Sequence, residues 1–158
     1  MILIEDTRQQ AGKHRNIAEY CSRHGITIVR RKLDVGDYML EDGRVSVDTK
    51  FGLQEVYGNV VREHDRFRRE LIRAKDMGIT LVILVEERGI QSVDDVAEWV
   101  NPRIAAFWRD GRGERPPVPS AQLMRMMKTM GERYGARWEF CAKNSTGKRL
   151  MEILTDEC

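Results

Sequence analysis

Hydrophobic and polar positions alternate with two different periods along the chain, and each period marks a type of element. Residues 1–4 (MILI) form a short apolar run suited to a buried strand, with Asp6 and Arg8 just beyond its end. Residues 13–23 place Ile17, Tyr20 and Cys21 at helical spacing, and Gly25 follows as a C-terminal stop. Residues 26–29 read as a second strand. From Val35 to Phe51 the pattern has period two on both sides of Asp42-Gly43, which predicts a β-hairpin. A helical stretch over 53–77 ends at Gly78. Residues 79–85 (ITLVILV) are apolar throughout, as in a central strand covered on both faces.

Further along, residues 93–99 predict a short helix and 110–119 (DGRGERPPVP) a loop. That loop holds two glycines and three of the four prolines. Residues 121–134 read as a helix with Ser120 as its N-cap, 138–141 as a strand and 147–154 as a closing helix. Strands alternating with helices imply a three-layer α/β fold, and no repeat or linker divides residues 1–158. One domain is expected.

Composition narrows the choices by exclusion. The 158 residues are 41% hydrophobic and 33% charged, as in an ordinary globular protein, and no apolar run approaches the ~20 residues of a membrane span. The N-terminus lacks the basic and apolar regions of a signal peptide. Cys21, Cys141 and Cys158 are odd in number and far apart, against a disulfide framework or zinc site. A cytoplasmic protein that does not engage membranes is expected. The net charge of +2 does not by itself announce a nucleic-acid binder, so any basic surface must come from local clustering.

The chemistry lies in the hairpin. A two-residue turn at Asp42-Gly43 sets Leu40 opposite Val45, Met39 opposite Ser46, Tyr38 opposite Val47 and Asp37 opposite Asp48. One face then carries Tyr38, Leu40, Val45, Val47 and Phe51, and the other Asp37, Asp48 and Lys50. Opposed Cβ atoms lie ~5 Å apart. Two carboxylates that close repel unless one is protonated or a cation lies between them. Such a pair beside open water positions suits Mg²⁺, and Lys50 on the same face can hold a water or steady a phosphoryl group. The same three residues also occur as a plain solvated edge, so spacing alone leaves both readings open.

Four segments in order shift that balance. IEDTRQQ, LDVGDYML, VDTK and HDRFRRELIRAK resemble the XPF-type nuclease domain, most closely its small stand-alone bacterial and phage members. The resemblance continues through ITLVILVEE and FCAKNSTGKRLMEIL, and is weakest over 90–119. It implies a restriction-endonuclease-like fold, a central mixed sheet flanked by helices. It further implies a Mg²⁺- or Mn²⁺-dependent endonuclease acting on branched, flap or junction DNA in recombination or repair, working as a homodimer in a bacterial or phage setting. Asp37 and Asp48 match its metal-binding acids, Lys50 its lysine, Asp6 the aspartate bordering the site and Arg8 the arginine two residues on. Three positions depart from it: Thr49 stands where the family usually has arginine, Gln9 where it often has glutamate, and Gln54 where a downstream acid is common.

The helix after the hairpin is basic. Arg62, Arg66, Arg69 and Arg73 share one helical stripe, beside a largely apolar stripe of His64, Phe67, Leu71 and Ala74. The four arginines, with His64, are candidates for DNA contact; as an ordinary charged face they would pair with Glu63, Asp65 and Glu70. Other features carry less. Thr146-Gly147-Lys148 lacks the earlier glycine of a P-loop, so no nucleotide cofactor is expected. Met124, Met126, Met127 and Met130 read as core filler, and Trp99, Trp108 and Trp138 as packing residues before base-stacking ones. The competing functions are a DNA-binding module with a decayed centre, a nuclease of another specificity, and a non-catalytic interaction domain.

Overall fold

The computed structural model describes residues 1–111 and 115–156, so residues 112–114 of the expected loop and Cys158 lie outside the described residues. Its frame is one mixed sheet of six strands: β1 (Ile2–Glu5), β2 (Thr27–Arg30), β3 (Tyr38–Leu40), β4 (Val45–Lys50), β5 (Thr80–Glu86) and β6 (Arg137–Cys141). Their order is β2-β1-β3-β4-β5-β6. β3 runs antiparallel to β1 and β4, while the β1–β2, β4–β5 and β5–β6 pairs are parallel. The hairpin register is the expected one, with Tyr38 opposite Val47 and Met39 opposite Ser46. The tight turn, however, is centred on Glu41-Asp42, not Asp42-Gly43: the Gly43 N–H donates to the Leu40 carbonyl at 3.0 Å, and residues 41–44 join the strands.

Helices close both faces. α1 (Arg15–Arg23) and α6 (Thr146–Asp156) cover one, where Ile17, Cys21, Leu150 and Leu154 pack with Tyr38, Val47, Val82 and Leu84. α2 (Leu53–Tyr57), α3 (His64–Asp76) and α5 (Ser120–Tyr134) cover the other, where Leu53, Phe67, Leu71, Leu123 and Met127 meet Leu81, Ile83 and Val85. β5 therefore feeds both cores through the alternation of its side chains, which is why Leu81 to Val85 are apolar at every position, with Thr80 exposed at the start of the strand. The result is the three-layer α/β architecture expected from the sequence. No helix among the described residues is long and apolar enough to cross a membrane.

The structure departs from the pattern in several places. The stretch 53–77 is not one helix. After α2 the chain makes a wide π-helical turn (Gly58–Arg62), closed by Glu63 N–H donating to the Gly58 carbonyl at 2.9 Å, and α3 starts afresh at His64. Gly58, Val60 and Val61 are poor helix formers in succession, and the wide turn is where the ladder yields. A short 3₁₀ segment (Val93–Glu98) replaces the expected helix over 93–99. α4 (Pro102–Asp110) fell within the stretch where the pattern is weakest, because it buries no residue. Its signal is local: Pro102 follows Asn101, whose side chain caps the Arg103 N–H at 3.0 Å. Ser120 is not the N-cap of α5; it is the first helical residue and donates to the Trp99 carbonyl. Gly147, the glycine of the Thr-Gly-Lys run, is a packing glycine: a Cβ there would press on Tyr20 of α1. Met127 and Met130 are buried, as core filler should be. Trp99 and Trp138 are partly buried against the same core, while Trp108 is exposed.

Candidate active site

Three strand ends meet at one place. β1 and β4 end where the antiparallel β3 begins, so Asp6 (just past β1), Asp37 (just before β3) and Asp48 and Lys50 (late in β4) converge. Asp37 is held from both sides: its N–H donates to the Val47 carbonyl at 2.8 Å, and its own carbonyl accepts from the Asp6 N–H at 2.8 Å. Gly36 makes this approach feasible. Its φ is +72°, and a Cβ would collide with Ser46 Oγ, a buried hydroxyl that donates to the Val35 carbonyl at 2.8 Å. The side chains open into a cavity of ≈ 550 Å³ between this strand end and α3.

Asp48 is buried, and its Oδ2 lies 3.1 Å from Lys50 Nζ. Burial raises its carboxyl well above the usual range. Lys50 opposes that, but Asp37 and Glu70 add like charge and Asp37 shares a hydrogen bond with it. Burial pulls the Lys50 ammonium down, yet the charge and hydrogen bond of Asp48, then Asp37 and Glu55, outweigh it and lift it. A second cation inside this group would relieve repulsion that Lys50 alone leaves. Among the described residues no three His, Cys, Asp or Glu side chains form a ready ligand cluster. Asp37 and Asp48 could together offer two carboxylates to an ion that keeps its own waters, as Mg²⁺ does.

Asp37 is oriented by Thr49, which donates to Oδ2 through its N–H at 2.8 Å and its hydroxyl at 2.9 Å. With its proton given to Asp37, the Thr49 hydroxyl accepts from His14 Nε2 at 2.8 Å, which places the imidazole proton on Nε2. His14 is buried, and its pKa falls to about 4 through desolvation and the neighbouring Lys13, against a smaller opposite pull from Asp37. The imidazole is neutral at pH 7. Thr49, where the resemblance leads one to look for arginine, thus belongs to a buried His14–Thr49–Asp37 chain.

Asp6 is less free. Its Oδ1 accepts from the Leu33 N–H at 3.0 Å and its Oδ2 from Arg8 Nε at 2.6 Å, while Arg8 also donates to the Leu33 carbonyl. The pair braces the chain after β2 and borders the cavity.

One wall is arginine. Arg66, Arg69 and Arg73 of α3 line the cavity. Arg66 pairs with Glu63 at 3.5 Å, whereas Arg69 and Arg73 make no ion pair among the described residues. The π-helical turn takes the other two candidates elsewhere. Arg62 lies over the Tyr57 ring, 5.6 Å from its centroid, in a separate cleft with Arg103 and Phe107. His64 is exposed, bonded to the Val60 carbonyl at 3.2 Å, near Met126. The four-arginine stripe is therefore a three-arginine wall.

Sequence reasoning missed three participants. Glu70 projects from α3 to accept the Gly36 N–H at 3.2 Å; its place in an Arg-rich run disguised it as a salt-bridge partner. Glu55, not Gln54, faces the cavity, while Gln54 turns to Asn101. His14 stands at the start of α1, and nothing in the linear pattern ties it to Thr49, 35 residues away.

No protein-family model matches the chain, and no curated protein matches it. Among solved structures it is similar to XPF from Aeropyrum pernix, with a TM-score of 0.64 and 15% identity. The match covers 98% of this chain and 63% of that one, so the chain spans less than two thirds of that protein's length. The likeness is one of fold: a mixed six-stranded sheet flanked by helices is common to both.

Proposed function

We propose that the protein is a divalent-metal-dependent DNA endonuclease that hydrolyses phosphodiester bonds at the Asp37, Asp48 and Lys50 centre. The observation that carries this reading is the convergence of two carboxylates and a lysine at one strand end, in a cavity walled by Arg66, Arg69 and Arg73. The shared fold with XPF from Aeropyrum pernix agrees with it.

Each group then has work that its position allows. Asp37 and Asp48 hold Mg²⁺ or Mn²⁺, with Asp6 at the margin. The bound ion supplies charge neutralisation at the phosphoryl oxygens and a more acidic water. Asp37 is kept in place for this by Thr49, and the Gly36 backbone by Glu70. Lys50 lies on the same face as both acids, where its ammonium steadies charge that grows on the phosphate. The arginine wall binds neighbouring phosphates without reading bases. Branched or flap DNA as substrate, and a homodimer as the working unit, follow from the family resemblance and complete the proposal.

One observation favours a second reading, a DNA-binding module with a weakened centre. Lys50 is ion-paired to Asp48, and Thr49 and Gln54 replace charged residues of the resembled motif. Cleavage of labelled flap, fork, four-way-junction and linear duplex DNA with Mg²⁺ or Mn²⁺ separates the two. Metal-dependent cutting that prefers a branched substrate supports the endonuclease. Tight, metal-independent binding with no cutting of any substrate overturns it.

A further inference from the structure

Beside the cavity at the catalytic centre lies a second, of ≈ 620 Å³, lined by Lys13, His14, Arg15, Asn16, Phe51, Glu86 and Lys143. Phe51 continues the alternation of the face that carries Val45 and Val47, but β4 ends at Lys50 and the ring escapes the core with 40% of its surface exposed. It rests on the buried His14 imidazole, with centroids 4.6 Å apart and planes 25° apart, and the Lys13 ammonium sits 5.0 Å from its centroid. Lys13 and Lys143 make no ion pair among the described residues. Arg15 meets only Glu19, in an exposed pair that a phosphate can replace at little cost. Glu86, the sole acid among these lining residues, is half-buried and accepts from the Thr146 hydroxyl.

An aromatic platform among cations, two of them without an ion pair among the described residues, is the combination that holds single-stranded nucleic acid. Lys13 lines both cavities, so the second adjoins the Asp37 and Asp48 centre at that residue. We propose that the second cavity is a subsite for an unpaired nucleotide flanking the scissile phosphate: its base stacks on Phe51, and its phosphate is held by Lys13, Arg15 and Lys143. The base takes the place of the Lys13 ammonium on the ring, which turns to the phosphate, and Glu86 offers an acceptor to an exocyclic amine. A base inside a duplex is already stacked on both faces, so the subsite selects DNA with a single-stranded branch. This rests on the endonuclease reading and deepens it.

The test measures binding, in EDTA, of a labelled duplex with a short single-stranded tail and of the same duplex without it, all on an Asp48→Asn background. Adding Phe51→Ala is expected to weaken the tailed DNA about tenfold and leave the blunt duplex unchanged. Phe51→Trp should restore tailed binding, which separates stacking from misfolding. Lys143→Ala should lower the salt slope for tailed DNA by about one. The proposal is overturned if Phe51→Ala binds tailed DNA like its parent, or if polyglutamate displaces the DNA as well as a free single strand does. If the wild-type enzyme cuts in Mg²⁺ while Phe51 has no effect, the subsite alone falls. If the parent binds neither DNA and the wild type never cuts, the endonuclease reading falls with it.

Discussion

Replacing Thr49 with valine removes one oxygen from the middle of the His14–Thr49–Asp37 chain and little else. The two side chains have nearly the same shape, so the buried packing at this position is preserved. Two contacts disappear: the hydroxyl's bond to Asp37 Oδ2 at 2.9 Å and its bond from His14 Nε2 at 2.8 Å. Asp37 keeps the Thr49 N–H, so one of its two anchors survives. His14 has no such reserve, and a buried donor left without a partner costs about 1–3 kcal/mol. Thr49→Val should therefore lower the unfolding free energy by roughly 2–4 kcal/mol in urea titrations, taking both bonds together. The double variant His14→Phe with Thr49→Val should lose less than the sum, by about 1 kcal/mol or more, because it leaves no orphan donor. Under the proposed role of Asp37 as a metal ligand, a carboxylate held by one anchor instead of two binds the ion less well, so the Mn²⁺ isotherm should weaken about 10-fold. A Thr49→Val protein within about 0.5 kcal/mol of wild type, additive with His14→Phe, would refute the coupling.

Three more expectations follow from the same geometry. Gly36→Ala forces a side chain into a left-handed backbone and against Ser46, and should cost about 2–4 kcal/mol in thermal or urea unfolding. His14 titrates at about 4 in the folded protein against 6.5 when free, so the unfolded chain takes up the proton first. Its contribution is full above pH 6.5 and is lost as pH falls toward 4; about 2 kcal/mol should go between pH 7 and 5, and His14→Phe should flatten that slope. Substituting Arg66, Arg69 and Arg73 together should lower the salt slope of DNA binding by about 2–3, whereas Arg62→Ala or His64→Ala should change it by less than about one, in anisotropy titrations.

How much of this was legible beforehand depends on the range over which each feature is decided. The hairpin register was readable because Asp42-Gly43 lies midway between the two strands, so the longer connection over 41–44 pairs the same residues as the tighter turn would, and brings Asp37 and Asp48 together. β5 was readable because burial on both faces leaves no polar position between Leu81 and Val85 to confuse the pattern. The break in 53–77 was not, since Arg62 keeps helical spacing to Arg66 on paper, and only the wide turn after Gly58 takes it off the wall. α4 escaped because periodicity reports burial and this helix has none. The roles of His14 and Glu70 are tertiary facts: each acts across the fold on a residue more than 30 positions away.

The most direct measurement is cleavage of a labelled flap substrate by wild-type, Asp48→Asn and Lys50→Ala proteins, each with Mg²⁺ and with EDTA. Cutting by the wild type in Mg²⁺ alone, and by neither variant while both remain folded and bind the DNA, is the expected result. Equal cutting by Asp48→Asn, or none by the wild type in any divalent metal, would contradict the assignment of this centre.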